Sequence, residues 1–170
     1  MRIRRFTEQD APAVSDLIVT TLRVSNTKDY PPDMMEELVL HMQPVDILQR
    51  ASHVHFYVAV DDEKIVGCGA IGAYWGKEDE SILLTIFVLP ECQGRGVGRK
   101  IVETLEGDEY ALRAKRIEIP ASITGTPFYR KWATISKTAW KSWTKKGCTD
   151  WKNTEIERRS RHVVSFYDAE

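Results

Sequence analysis

The stretch of the chain best suited to chemistry is a glycine-rich loop at residues 90–100, with the sequence PECQGRGVGRK. Three glycines alternate with other residues there, directly after the apolar run SILLTIFVL. Glycine lets the backbone turn several N–H groups toward one anion, and a helix that begins at such a loop adds unpaired N–H donors and a partial positive charge. Arg95, Arg99 and Lys100 add cations. The pattern predicts a phosphate-binding loop, with a plain strand-to-helix turn as the alternative.

Two common phosphate-binding motifs do not match this loop. A P-loop needs four residues between its first glycine and the Gly-Lys-Ser/Thr, whereas Gly94 and Gly98 are separated by three residues and Arg99 follows. The dinucleotide fingerprint is G-x-G-x-x-G, and the loop reads G-x-G-x-G. A nucleotide-binding interaction module is therefore disfavoured.

Composition limits the remaining classes of protein. The chain has 170 residues, 42% of them hydrophobic and 29% charged, which predicts one domain with a substantial core. The net charge of −1 gives no indication of a nucleic-acid partner. No apolar run is long enough to span a membrane, so we expect a cytoplasmic protein. Cys68, Cys92 and Cys148 are scattered, which predicts reduced thiols and no metal site.

The elements that position the loop follow the order β-α-α-β-β-β-α-β-α, an α/β arrangement. RIRRF predicts the first strand, and Asp33 is expected to cap a second helix with Met34, Leu38 and Met42 as its apolar stripe. VHFYVAV and IVGCGAIGAYW predict two strands joined by a polar turn. SILLTIFVLP, almost without polar alternation, predicts a buried strand before the loop. RIEIPAS predicts a later strand, and TGTPFYRKW the start of a last helix.

The loop and its setting resemble a known family. Residues 93–98 match the Q/R-x-x-G-x-G/A motif of the GNAT acetyltransferase superfamily, and FVLPECQGRGVGRKIVETLE and PASITGTPFYRKW are also similar to it. The resemblance covers residues 1–131, which we interpret as a GNAT acetyltransferase domain. It implies an α/β (α+β) GNAT-like acyl-CoA N-acyltransferase fold, with a mixed central sheet and helices on both faces.

The resemblance also implies acetyl-CoA as the cofactor. The glycine loop would hold its diphosphate, and residues 86–88 would end a strand that splays from the next one and pairs with the pantetheine arm. Ser122 stands where many relatives have an asparagine that contacts the pantetheine. The residues so assigned to the cofactor are Ile86, Phe87, Val88, Gln93, Gly94, Arg95, Gly96, Val97, Gly98, Arg99, Ser122 and Phe128.

The implied reaction is direct attack of a primary amine on the thioester, with Tyr129 as the general acid at the sulfur. The alternative for Tyr129 is a core aromatic at a helix start. Residues 78–80 carry carboxylates that could act as a base through water, or that form a solvated turn. Residues 26–30 are expected to cover the acceptor site. The acceptor, a small-molecule or peptide amine, is not identified.

Two further alternatives stay open. The chain could be a non-catalytic acyl-CoA-binding protein of the same fold instead of an enzyme. Relatives are often dimers, so a homodimer is an open expectation as well.

Residues 132–170 depart from the family pattern and form a separate, atypical C-terminal tail. Four of the five tryptophans lie there, and the closing strands of relatives are not visible. Trp132-Ala133 must be encoded by TGG GCN, which one base back encodes leucine, methionine or valine and then glycine. The whole stretch can then be read as (L/M)GYDFENGVEVLDKEGLYRLEKH, a family-like C-terminus. We hypothesise that one base is missing near Lys131–Trp132, which would leave a sheet edge exposed; a divergent C-terminus is the alternative.

Overall fold

A computed structural model describes residues 1–129 and 162–166 of the chain. The elements in chain order are β1 (Arg2–Arg5), α1 (Ala11–Val24), α2 (Pro32–Leu40), α3 (Pro44–Ala51), β2 (His55–Asp61), β3 (Lys64–Tyr74), β4 (Lys77–Val88), α4 (Val97–Glu106), α5 (Glu109–Arg113), β5 (Arg116–Ala121) and β6 (His162–Phe166). Residues 126–129 are also helical. The predicted strands and the helix after the glycine loop are confirmed, whereas α3 and α5 were not foreseen as separate helices.

The strands form one mixed sheet in the order β1-β2-β3-β4-β5-β6. Neighbours from β1 to β4 are antiparallel, and the β4–β5 and β5–β6 pairs are parallel. The expectation of an exposed edge beside β5 is therefore wrong, because β6 hydrogen-bonds along that edge from Ile117 to Ala121. Residues 130–161 and 167–170, which carry most of the frame-shift hypothesis, lie outside the described residues.

Helices cover both faces of the sheet. The α4 face requires glycine in β3, because a Cβ at Gly69 would lie 2.5 Å from Cγ2 of Ile101. Successive strand residues face opposite sides, so Cys68 faces away from α4. On that side Arg50 of α3 reaches β4, and α1 packs against α3. The expected architecture, a mixed sheet with helices on both faces, is confirmed.

Helix α2 differs from its prediction by one position. Pro32 begins the helix, where proline is tolerated, so Asp33 lies in the first turn and does not cap it. Met35 and Val39 are buried in the core, Met34 and Met42 are partly buried against it, and Leu38 is exposed. The predicted stripe is therefore confirmed for Met34 and Met42 and wrong for Leu38. Within the described residues, no helix combines the length and apolarity needed to cross a bilayer.

Candidate active site

A wedge opens between β4 and β5. The two strands pair over only three positions, the last of which is Ile82–Glu118, and residues 83–88 of β4 have no partner in β5. The N–H of Leu89 donates to the carbonyl of Val66 in β3 at 3.0 Å. Because strand residues direct their backbone groups to alternate sides, those of Val88 point into the wedge. The splay expected at the end of this strand is present.

The glycine loop concentrates free N–H donors at the mouth of this wedge. Gly94 and Gly96 have φ angles of 75° and 83°, the left-handed region that glycine adopts without steric cost. Helix α4 then begins at Val97, and its first hydrogen bond runs from the N–H of Lys100 to the carbonyl of Gly96 at 3.1 Å. The backbone N–H groups of residues 94–99 have no acceptor among the residues that the structure describes. Such a set of donors at a helix start suits an anion with several oxygens.

Gln93 fixes the loop to the rest of the fold. Its Nε2 donates to the carbonyl of Val88 and to Oγ of Ser25, each at 3.1 Å. The hydroxyl of Thr21 also lies 3.3 Å from the carbonyl of Val88. Sequence reasoning missed Thr21 and Ser25, because a polar residue at the end of an amphipathic helix has no distinguishing local pattern. The loop, β4 and the end of α1 thus hold one another in place.

The predicted cations lie on the surface around the loop. Nη2 of Arg95 is 3.6 Å from Asp61, and Nε of Arg99 is 2.7 Å from Glu103. Exposed ion pairs of this kind contribute little stability, so either guanidinium can turn to an incoming anion at small cost. Lys100 is exposed and forms no ion pair with a carboxylate of the described residues. The predicted positive charge is present at the loop.

The segment after β5 brings the predicted tyrosine to the loop. Oγ of Ser122 accepts the N–H of Gly125 at 3.0 Å, and this turn leads into the helical residues 126–129. Phe128 then packs on the loop, since a Cβ at Gly98 would lie 3.3 Å from Cε2 of its ring. The ring centroids of Phe128 and Tyr129 are 5.0 Å apart. The hydroxyl of Ser122 therefore stabilises this turn, and the sequence did not predict that hydrogen bond.

Tyr129 is a protonated donor at neutral pH. The residue is 9% exposed, and its burial raises the pKa of the phenol far above the usual value. Its hydroxyl makes no hydrogen bond to the described residues.

A strained bulge lies in β4 opposite the segment of β3 between Cys68 and Ala70. Thr85 has a φ of 53°, an outlier for a β-branched residue, and its carbonyl accepts a weak bond from Sγ of Cys68 at 3.3 Å. Burial raises the pKa of the Cys68 thiol to about 12, although the Phe87 backbone and the charge of Arg50 oppose this. A thiol of such low acidity is a poor nucleophile, which argues against a covalent acyl-cysteine at this residue.

The acidic residues at the start of β4 are ion-paired. Oδ2 of Asp79 lies 3.0 Å from Lys115, and Oε2 of Glu80 lies 2.7 Å from Arg116. The bond from Lys115 lowers the pKa of Asp79. Burial raises the pKa of Glu80, but bonds from Lys77 and Arg116 outweigh it and the net pKa is lowered. These contacts favour a solvated, ion-paired strand start over a catalytic base. No three potential ligands of a metal ion cluster within the described residues.

Comparison with protein families agrees with this geometry. The glycine loop at a helix start and the wedge beside it form an arrangement that suits a multiply charged anion with an extended chain attached. The family described as "Acetyltransferase (GNAT) domain" matches residues 52–132. This match identifies a GNAT acetyltransferase domain over residues 52–132, and the fold of the described residues agrees with it. No curated protein matches the sequence significantly.

Solved structures share the fold at low sequence identity. A GCN5-related N-acetyltransferase from Rhodopseudomonas palustris is similar with a TM-score of 0.66 and 20% identity, covering 77% of this chain and 79% of that one. The PaiA N-acetyltransferase from Thermoplasma acidophilum, in complex with coenzyme A, has a TM-score of 0.67 and 14% identity over 76% and 86% of the chains. A GNAT acetyltransferase from Brucella melitensis, in complex with acetyl-CoA, has a TM-score of 0.57 and 21% identity over 77% and 80%.

Proposed function

We propose that this protein is an N-acetyltransferase that moves the acetyl group of acetyl-CoA to a primary amine. The observation that carries the proposal is the row of N–H groups at residues 94–99, which have no acceptor among the described residues and follow the end of β4 beside the wedge. These residues fit a diphosphate, and the unpaired end of β4 fits an extended chain that hydrogen-bonds like a strand. The coenzyme complexes of the structural neighbours support the same assignment.

The glycine loop and the end of β4 would bind different parts of the coenzyme. The N–H groups of residues 94–99 would hold the diphosphate, with Arg95 and Arg99 adding charge. The backbone of residues 86–88 would align the pantetheine arm, and Phe128 would close the loop from the side. The site would thereby place the reactive end of the cofactor deep in the wedge.

The chemistry depends on Tyr129. Acetyl-CoA supplies a thioester, whose C–S bond breaks as the amine nitrogen forms a C–N bond and loses a proton. The phenol of Tyr129, protonated at neutral pH, would donate its proton to the departing sulfur and regain one from solvent. The buried thiol of Cys68 stays outside the reaction, so the transfer is direct. The homodimer and cytoplasmic location expected from the sequence stay predictions.

The test is amine-dependent release of free thiol from acetyl-CoA. The full chain is incubated with acetyl-CoA and a panel of primary amines, with a control that lacks amine. We expect thiol release that depends on the amine and a mass increase of one acetyl group on it. Binding of acetyl-CoA by calorimetry, without turnover of any amine, would support the second candidate instead.

That second candidate is a non-catalytic acyl-CoA-binding protein. One observation favours it. Asp79 and Glu80, which the sequence offers as candidates for the general base, form ion pairs with Lys115 and Arg116. Under this candidate the loop binds the coenzyme and the amine panel gives no product. Absence of coenzyme binding would contradict both candidates.

A further inference from the structure

The guanidinium of Arg50 reaches from the last turn of α3 into the middle of β4. Its Nη1 donates to Oγ1 of Thr85 at 2.8 Å, and the residue is partly buried. Arg50 has no carboxylate within 4.0 Å among the described residues. Arg4 and Arg116, by contrast, each bind a carboxylate at 2.7 Å. Partial burial removes water from the guanidinium and raises its free energy. An anion bound beside it would offset this cost.

Arg50 lies on the face of the sheet opposite helix α4. Cys68 and Phe87 are paired across β3 and β4 and share the face turned away from α4. Thr85, which Arg50 contacts, lies two residues before Phe87, a separation of roughly 7 Å along a strand. A ligand held by Arg50 is therefore within one small-molecule length of the strand end that faces the pantetheine arm.

The segment after α1 contains a second polar side chain without a partner among the described residues. Asn26 is 8% exposed, and its side-chain amide makes no hydrogen bond to the described residues. Its neighbour Ser25 binds Gln93, and the Tyr30 hydroxyl accepts the N–H of Ile123 at 2.7 Å. Asn26 thus lies between the loop and the turn that leads to Tyr129, where residues 26–30 were expected to cover the acceptor.

We propose that the acceptor amine carries a carboxylate and that Arg50 binds it, as for an amino acid. The inference rests on the proposed acetyltransferase function and names its substrate class. Thr85 accepts one of the five N–H donors of the guanidinium, and the others have no acceptor among residues 1–129, so they could bind a carboxylate. Arg50 is thus a specificity-determining residue for the acceptor.

The experiment compares each amino acid with its own carboxamide as the acceptor. The measured quantity is the ratio of kcat/KM for the acid to kcat/KM for the amide, in the wild type and in Arg50→Ala. Because both amines are measured with both proteins, the effect of their different basicity cancels when the two ratios are compared. A charge-assisted bond of this kind predicts a fall in the ratio of about 10- to 100-fold in Arg50→Ala. The KM for acetyl-CoA should stay the same.

A purely structural role for Arg50 gives a different result. Thr85→Val removes the hydroxyl that Arg50 contacts but keeps the guanidinium, so it is the matched control for a disturbed bulge. If Arg50 only supports the bulge, both variants lower acid and amide turnover equally and leave the ratio unchanged, which overturns the proposal. Arg50→Lys keeps the positive charge but lacks the planar guanidinium that can bind both oxygens of a carboxylate. It should therefore recover part of the preference for the acid over the amide that Arg50→Ala loses.

Binding separates this proposal from the proposed function. Calorimetry of amino acids and amides with the CoA-saturated full chain needs no turnover. Tighter binding of an acid than its amide in the wild type, lost in Arg50→Ala, supports the carboxylate site even where no acetyl transfer occurs. Equal binding of acid and amide, or no binding of either, overturns it, while acetyl transfer to other amines would leave the proposed function intact.

Discussion

Alanine at Gly96 should weaken coenzyme binding by an amount that the backbone geometry sets. Gly96 has a φ of 83°, and a Cβ built there meets no atom within 4 Å. The substitution therefore adds conformational strain without a clash, of about 1–2 kcal/mol for an L residue in the left-handed region. The free loop relieves the strain by rotating to negative φ, which turns its N–H groups away from their shared direction. Binding must restore the original conformation, so the affinity for CoA should fall roughly 5- to 30-fold.

Gly76 provides a matched control for this strain. It has a φ of 72°, and a Cβ there also meets nothing within 4 Å, but it lies in the turn between β3 and β4. Urea unfolding should show that Gly76→Ala and Gly96→Ala each lose at most about 1–2 kcal/mol of stability. Calorimetry with CoA should show reduced affinity for Gly96→Ala alone. Equal CoA affinity in the two variants would refute the assignment of the loop.

Three further predictions concern single side chains. Tyr129→Phe should lower kcat by about 10²- to 10⁴-fold with CoA affinity nearly unchanged; loss of both together would assign Tyr129 a structural role. The bond from Arg4 lowers the pKa of Asp10 from 3.8 to about 2, so its stabilisation is complete above pH 3.8 and disappears as the pH falls through 2. Asp10→Asn should thus cost about 2 kcal/mol in urea unfolding at pH 7 and little at pH 2; an equal cost at both would contradict this. Cys68→Ala should retain acetyl transfer, and an inactive variant that still binds CoA would argue for an acyl-cysteine.

The parts of the site that were predictable are local in sequence. The apolar run, the glycine spacing and the start of α4 lie within 20 or so neighbouring residues, and the steric rules for glycine and helix starts apply there directly. The same locality let the family motif single out the loop, and the roles of the loop and of Tyr129 stay predictions. The pairing of β2 with β3 agrees with the short polar turn that the sequence predicts between them.

The parts that escaped prediction depend on contacts between distant residues. Arg50 meets Thr85 across 35 positions, and the positive φ of Thr85 has no signal in a run of strand-forming residues. His55 and Tyr57 both bind Asp108, at 2.8 and 2.7 Å, in a cluster that the sequence did not indicate. Leu38 is exposed although the sequence predicts it in the apolar stripe of α2, because apolar residues occur on two adjacent faces of that short helix.

The most direct test of the central claim is a ¹H–¹⁵N NMR titration of the full chain with coenzyme A. The claim is that the N–H groups of residues 94–99 hold the diphosphate. The amide resonances of Gly94, Gly96 and Gly98 should shift together and saturate at the same coenzyme concentration, and pantetheine, which lacks the diphosphate, should leave them nearly unmoved. Saturable binding of coenzyme A that leaves these three resonances in place would contradict the account.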